Sequence, residues 1–152
     1  GYNGASTMIL VPAVCDAVKI PVLAAGGIGD SRGYRAAIAL GAQGVQIGTR
    51  FIATKECIAH TNYKKTIAHT EETGTRLVQM DKIRIRALHT PLVEEILNSS
   101  KNTSEVFNSQ AVEESWIKGD IDAGVLPAGE ISGLISGIQS VKEIINEMVS
   151  RS

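Results

Sequence analysis

The first half of the chain carries two helical and two strand-like apolar patterns in alternation. Val11, Val14, Cys15 and Val18 recur at i, i+3, i+4 and i+7, the spacing of one helical face. Pro12 lacks the N–H a helix interior requires and suits only the first turn, which predicts a regular helix from near Leu10. Residues 1–6, with their glycines and Asn3, read as a loop before it. Val22–Ala25 is apolar on both faces, as a covered parallel strand is. Tyr34, Ala37 and Ile38 form the inward stripe of a helix over about Arg32–Leu40, with Ser31 or Asp30 as its cap and Gly41 suited to C′. Val45–Ile47 is the next strand. Strand, helix and strand in this order make a βαβ unit, so the two strands belong side by side or nearly so in one parallel sheet.

The second half mixes patterns. A helix is predicted over about Lys55–Ala68. Thr75–Met80 and Ile83–Leu88 read as short strands or extended segments; in the latter Ile83 and Ile85 alternate with Arg84 and Arg86, which puts the arginines on a solvated face. Thr90-Pro91 is a cap followed by Pro at N1, opening a helix that ends near Asn98. Residues 98–105 are polar and loop-like, and a helix follows over about Ser109–Lys118. A turn through Gly119–Gly124 leads to a small-residue helix over Ala128–Ile135. Ser140 and Glu143 form a capping box for a last helix, Val141–Val149, with Val141, Ile144, Ile145, Met148 and Val149 as its stripe.

Both strands end abruptly in small residues: Ala25-Gly26-Gly27 and Gly48-Thr49. A phosphate needs donors and close approach, and glycine lets backbone N–H groups reach it. The helix opening at Ser31 could aim its positive end at the same point, and Thr49 adds a hydroxyl. Gln46 could hydrogen-bond a polar ring edge. A Gly-Gly pair alone also fits a tight turn; two matching glycine ends favour the cradle. The loops after strands 7 and 8 of a (β/α)8 barrel often build such a site, but that fold takes about 250 residues. At 152 residues, the expectation is an α/β chain forming the C-terminal portion of a TIM barrel with a helical C-terminal extension. Residues 1–68 would hold the last barrel strands and helices with the phosphate loops. Residues 69–152 would be a mostly helical segment packing on and partly capping them. On this reading the earlier strands lie upstream. Their absence would leave a raw sheet edge that aggregates and binds cofactor weakly.

Composition changes the picture little. The chain is 43% hydrophobic and 20% charged, with 15 basic and 16 acidic residues. That balance makes no electrostatic case for nucleic acid or an anionic membrane as partner. No apolar run is long enough to span a bilayer. Cys15 and Cys57 lack metal spacing and read as free buried thiols of a reducing, cytoplasmic compartment.

Specific stretches resemble a known family. Ile20-Pro-Val-Leu-Ala-Ala-Gly-Gly-Ile-Gly-Asp-Ser-Arg-Gly33 and Ala39-Leu-Gly-Ala-Gln-Gly-Val-Gln-Ile-Gly-Thr-Arg-Phe51 are similar to the nitronate monooxygenases, formerly 2-nitropropane dioxygenases. The related flavin-dependent enoyl-acyl-carrier-protein reductases share the pattern. Residues 53–64 continue it, and Gly119–Gly133 resembles the family's C-terminal motif. The resemblance implies an FMN-binding (β/α)8 barrel that oxidises alkyl nitronates with dioxygen. In the reductase alternative, NAD(P)H is the reductant and an enoyl thioester the substrate. FMN contacts would come from Gly1, from Ala25, Gly26 and Gly27 after the seventh strand, and from Gln46, Ile47, Gly48 and Thr49 at the eighth. A small-molecule substrate, the missing N-terminal barrel half and a homodimer are the partners it suggests. The family has Gly-His-x-Gly where this chain has Gly1-Tyr2-Asn3-Gly4. Tyr2 would then stand at the catalytic His position. A phenol with pKa near 10 is a poor base at neutral pH, whereas imidazole near 6.5 is suited. Tyr2 could still donate a hydrogen bond to a nitro or carbonyl oxygen. A catalytically impaired flavin-binding relative is therefore a further alternative, and a flavin-free sugar-phosphate barrel a weaker one.

Of the remaining residues, His60 and Tyr63 share a helical face and are expected in packing, with a place at the flavin's rim as the other reading. His69 and His89 are expected at the surface. None has the carboxylate or Cys neighbours of a metal site. Arg50 is expected in structural pairing, and Trp116 in core or lid packing.

Overall fold

The computed structural model describes residues 4–80, 83–98 and 103–150. It begins with the predicted βαβ unit. Helix α1 (Thr7–Ala17) precedes strand β1 (Leu23–Ala25), helix α2 (Ser31–Ala39) and strand β2 (Gly44–Gln46). The strands pair in parallel, with Leu23 opposite Gly44 and Ala25 opposite Gln46. Val11, Ala24, Ile28, Ala37 and Ala42 form the core between sheet and helices. Helix α2 ends in a Schellman motif: Gly41 N–H donates to Ile38 and Ala42 N–H to Ala37. Gly41 has φ +97°, so only glycine meets this turn without strain.

Several expectations need correction here. Helix α1 starts at Thr7, with Pro12 inside it. Proline there removes the i+4 partner of the Met8 carbonyl, and Met8 is an exposed residue. Ile38 lies outward on α2, leaving Ala37 as that helix's buried residue. Of the two caps expected for α2, Asp30 is the one used: its carboxylate accepts the N–H groups of Arg32 and Gly33. Cys15 and Cys57 are partly buried rather than buried. Met8, Ile9, Leu10, Ile20 and Leu23 are exposed, so α1 and β1 turn an apolar face outward.

Asp30 gives a measurable test of this local structure. Partial burial pushes its carboxyl up, but the Arg32 side chain and the Gly33 and Arg32 amides outweigh that and hold it below its ordinary value of 3.8. A lowered folded value means its contribution is present above the unfolded pKa and lost as pH falls through the folded one. Asp30→Ala is expected to cost about 1 kcal/mol at neutral pH, and the difference should vanish in acid. Urea unfolding at both pH values checks it.

The second half is a separate assembly that wraps back on the first. Between β2 and it come helix α3 (Thr49–Ile52) and helix α4 (Thr61–Ala68). The single helix expected over 55–68 does not form. Instead Thr54 bridges Gln139, and Lys55 N–H donates to the Gln139 carbonyl, which holds the chain extended. His60 then caps α4, its Nδ1 accepting from Asn62 N–H. Strands β3 (Thr75–Met80) and β4 (Ile83–Leu88) form an antiparallel hairpin with Val78 opposite Ile85. Helix α5 (Pro91–Asn98) packs Val93 and Ile96 beneath it with Val78, Ala87 and Val125. The expected 109–118 helix is one turn, α6 (Ser109–Val112), followed by a π turn over Glu113–Ile117.

The 126–128 segment runs beside β4. Leu88 N–H donates to the Leu126 carbonyl, and Ala128 N–H donates to the Arg86 carbonyl. These tertiary bonds keep Ala128 extended, so only Glu130–Leu134 coils, as a 3-10 helix. Helix α7 (Val141–Val149) has the predicted capping box, and Glu56 accepts the Val141 N–H. Ile144 and Met148 are its buried residues; Ile145 and Val149 are exposed, which narrows the expected stripe.

Candidate functional site

Register builds the site. Ala25 and Gln46 are the last paired residues of β1 and β2. Gly27 and Gly48 each lie two residues beyond that pair, so the glycine ends sit side by side and outside the ladder's own hydrogen bonding. Gly26 and Gly27 turn with φ +92° and +72°. A Cβ built on Gly27 or Gly48 meets nothing within 4 Å, so both glycines face open space. Thr7 braces the turn, its hydroxyl donating to the Gly26 carbonyl at 2.9 Å.

A cavity of about 510 Å³ opens over this turn. Gly4–Thr7 and Ala25–Gly27 line one side; Leu77, Arg86, Gly129 and Glu130 line the other. Thr49 reaches the far wall, because its hydroxyl oxygen accepts the Gly129 N–H at 2.9 Å. Among the described residues Arg86 is the one cation on this lining. Its Nη2 meets Glu130 Oε1 at 3.0 Å, and its Nη1 donates to Thr75 Oγ1 at 3.3 Å.

Ala25, Gly26 and Gly27 therefore line the cavity. Gln46, which is exposed, pairs with Ala25 in the ladder, but Gln46, Ile47 and Gly48 are not on the cavity's lining. The start of α2 is already taken, since the Asp30 carboxylate accepts the first free amides there. Gly1 and Tyr2 lie outside the described residues. Arg50 is structural: buried, it donates to the Gly137 carbonyl and to Gln139 Oε1. Burial pushes its pKa down, and Glu147 counters that. Tyr63 is fully buried and Trp116 packs against the same core, its indole N–H donating to the Val125 carbonyl. His69 and His89 are exposed, and His89 pairs with Glu94. Among the described residues no group of His, Cys, Asp and Glu could hold a metal ion, and no helix is long and apolar enough to cross a membrane.

Arg86 corrects the expectation of a solvated arginine face. Arg84 is exposed and bonds Gln79, whereas the Arg86 side chain is only 32% exposed and lies inside the site. Period-2 alternation puts both arginines on one side of β4 without saying what lies opposite. Leu77 and Glu130 were missed for the same reason: the walls meet only in three dimensions.

Comparison with known proteins agrees along the whole chain. The nitronate monooxygenase family profile matches residues 1–151. A probable nitronate monooxygenase of Bacillus subtilis is 44% identical over 80 residues, 53% of this chain and 23% of that protein. A (3aS,4S,5R,7aS)-5-hydroxy-7a-methyl-1-oxo-octahydro-1H-indene-4-carboxyl-CoA dehydrogenase of Rhodococcus jostii is 30% identical over 194 residues, covering 99% of this chain and 55% of that protein. The structure of FabK from Thermotoga maritima matches with a TM-score of 0.86 at 36% identity, covering 95% of this chain and 48% of that one. The chain spans about half the length of the relatives it matches end to end.

Proposed function

The chain belongs to the nitronate monooxygenase family, and from that premise we propose that it forms the C-terminal part of an FMN-dependent (β/α)8 barrel that oxidises alkyl nitronates with dioxygen. One observation carries the cofactor assignment: Gly27 and Gly48, side by side at two parallel strand ends, face space that any side chain would enter. Such a cradle fits a phosphate monoester. Gly26 and Gly27 would hold the FMN phosphate from one strand end, with Ala25 beside them. Gln46, Ile47, Gly48 and Thr49 would hold FMN from the other. Thr49 also fixes Gly129, so it ties the cradle to the opposite wall. When bound, FMN supplies a two-electron acceptor that dioxygen can reoxidise.

Gly1 and Tyr2 would approach from the loop before α1. Tyr2 at the family's His position makes it a hydrogen-bond donor to the substrate oxygen and a poor base. That favours a substrate already deprotonated. The exposed apolar face of α1 and β1 would be covered by the upstream barrel strands.

A thioester substrate is the second reading. The match to the Rhodococcus CoA-thioester dehydrogenase, which covers 99% of this chain, favours it. On that reading NAD(P)H reduces the flavin and an enoyl thioester takes the hydride. The discriminating experiment uses full-length protein. The first reading expects a yellow, FMN-containing protein that consumes dioxygen with propyl-2-nitronate, with little turnover of neutral 2-nitropropane until Tyr2→His restores a base. Flavin bleached anaerobically by NADH or NADPH, then reoxidised by crotonyl thioester, selects the second. Protein without flavin sinks both, and flavin without turnover on either substrate marks an impaired relative.

A further inference from the structure

We propose that Arg86 is the oxyanion-binding residue of the cleft, held by Glu130 until a planar anion with two in-plane oxygens displaces it. The inference deepens the nitronate reading and rests on it for the substrate's name. Arg86 is the one cation on the described lining of the cavity, across from the Gly26–Gly27 turn. Neighbouring segments hold it at both its backbone and its guanidinium. Its own carbonyl accepts the Ala128 N–H, and its Nη1 donates to Thr75 on β3. The guanidinium is therefore aimed by two backbone-anchored walls and not left to a flexible stem.

Its ionic partner is of a different kind. The Glu130 side chain is 67% exposed, while that of Arg86 is 32% exposed. An ion pair with an exposed carboxylate is worth little, so an incoming anion can replace Glu130 at small cost. The replacement gains geometry. A guanidinium fork donates two parallel N–H bonds to a planar group with two oxygens. An alkyl nitronate carries two such oxygens on one nitrogen; a thioester carbonyl offers one. A phosphate is better served by the glycine turn, where backbone amides can approach it closely. Arg86 thus selects for anionic nitronate over neutral nitroalkane, while Glu130 keeps the resting cleft neutral. No proton or electron moves in this exchange; one ion pair replaces another.

Inorganic nitrate, planar and unreactive here, is the probe. Calorimetric titration of nitrate into full-length protein is compared among wild type, Arg86→Gln and Glu130→Gln, with flavin content recorded for each. Arg86→Gln should weaken nitrate about tenfold and raise KM for propyl-2-nitronate by a similar factor at unchanged flavin content. Glu130→Gln should tighten nitrate about threefold, because the guanidinium loses its competitor. Nitrate binding equal in wild type and Arg86→Gln overturns the proposal. So does loss of flavin, instead of nitrate, in that variant, which would assign Arg86 to the cofactor phosphate. Should Arg86→Gln fail to fold, unchanged or weaker nitrate binding by Glu130→Gln overturns it alone. Absence of flavin from wild type defeats the functional reading, while the nitrate titrations still decide the role of Arg86.

Discussion

Tyr63→Ala should destabilise the protein by about 3–5 kcal/mol, the usual cost of removing a fully buried aromatic ring. Tyr63 is 2% exposed and sits in a cluster with Ala53, Ile67, Leu88, Leu126, Ala128, Ile131 and Ile135. Its ring lies 6.2 Å from that of Trp116 in a tilted pair, which adds to simple burial. Its hydroxyl donates to the Pro127 carbonyl at 2.5 Å. Burial first, and the nearby Cys57 second, push the phenol's pKa well up, so it stays a donor at neutral pH. Tyr63→Phe keeps the ring and loses the bond, and should cost about 1 kcal/mol. A raised folded pKa gives stability that is present below the unfolded value of 10.0 and fades as pH climbs above it. The effect reaches the site, because the same cluster supports Ala128 and Ile131 on either side of Gly129 and Glu130. Thermal and urea unfolding of both variants measure it. Equal stability of Tyr63→Ala and wild type would remove α4 as the support of the cavity wall.

The second large effect is on the cofactor. Gly27→Val should abolish measurable FMN binding, since the side chain fills the cradle and its φ of +72° strains any L residue by about 1–2 kcal/mol. Gly48→Val separates the two causes. Gly48 has φ −107°, open to any residue, so its stability cost should stay near 1 kcal/mol or less. FMN affinity should nevertheless fall about tenfold or more as the side chain enters the space beside Gly27. Flavin titration alongside unfolding resolves strain from occupancy. Gly48→Val binding FMN as wild type does would separate that glycine from the site.

Much of this was legible from local pattern. The βαβ unit was read from two apolar runs and a capped helix, and Gly41 ends α2 as its C′ position predicts. Alternation marked 75–80 and 83–88 as extended, though not their pairing, and Ser140 with Glu143 marked α7. In each, neighbours in sequence supply the decisive interactions. The failures share the opposite cause. Thr54 and Lys55 are tied to Gln139, more than eighty positions away in sequence, where a helix was expected to start. Ala128 is held by the Arg86 carbonyl and Gly129 by the Thr49 hydroxyl. The glycine half of the cavity lining, Gly26 and Gly27, was visible because backbone needs are written in glycine itself. The half carrying Leu77, Arg86 and Glu130 was not, because an arginine in an alternating strand looks the same whether it faces water or a cleft.

The comparison of FMN with riboflavin tests the central claim most directly, because the two differ only in the phosphate that the adjacent glycine ends are held to cradle. Full-length wild-type protein should bind FMN about 100-fold more tightly than riboflavin, a difference of about 2.7 kcal/mol, and Gly27→Val should erase the preference. Equal affinity for FMN and riboflavin in the wild-type protein would contradict the assignment of Gly26–Gly27 and Gly48–Thr49 as a phosphate site.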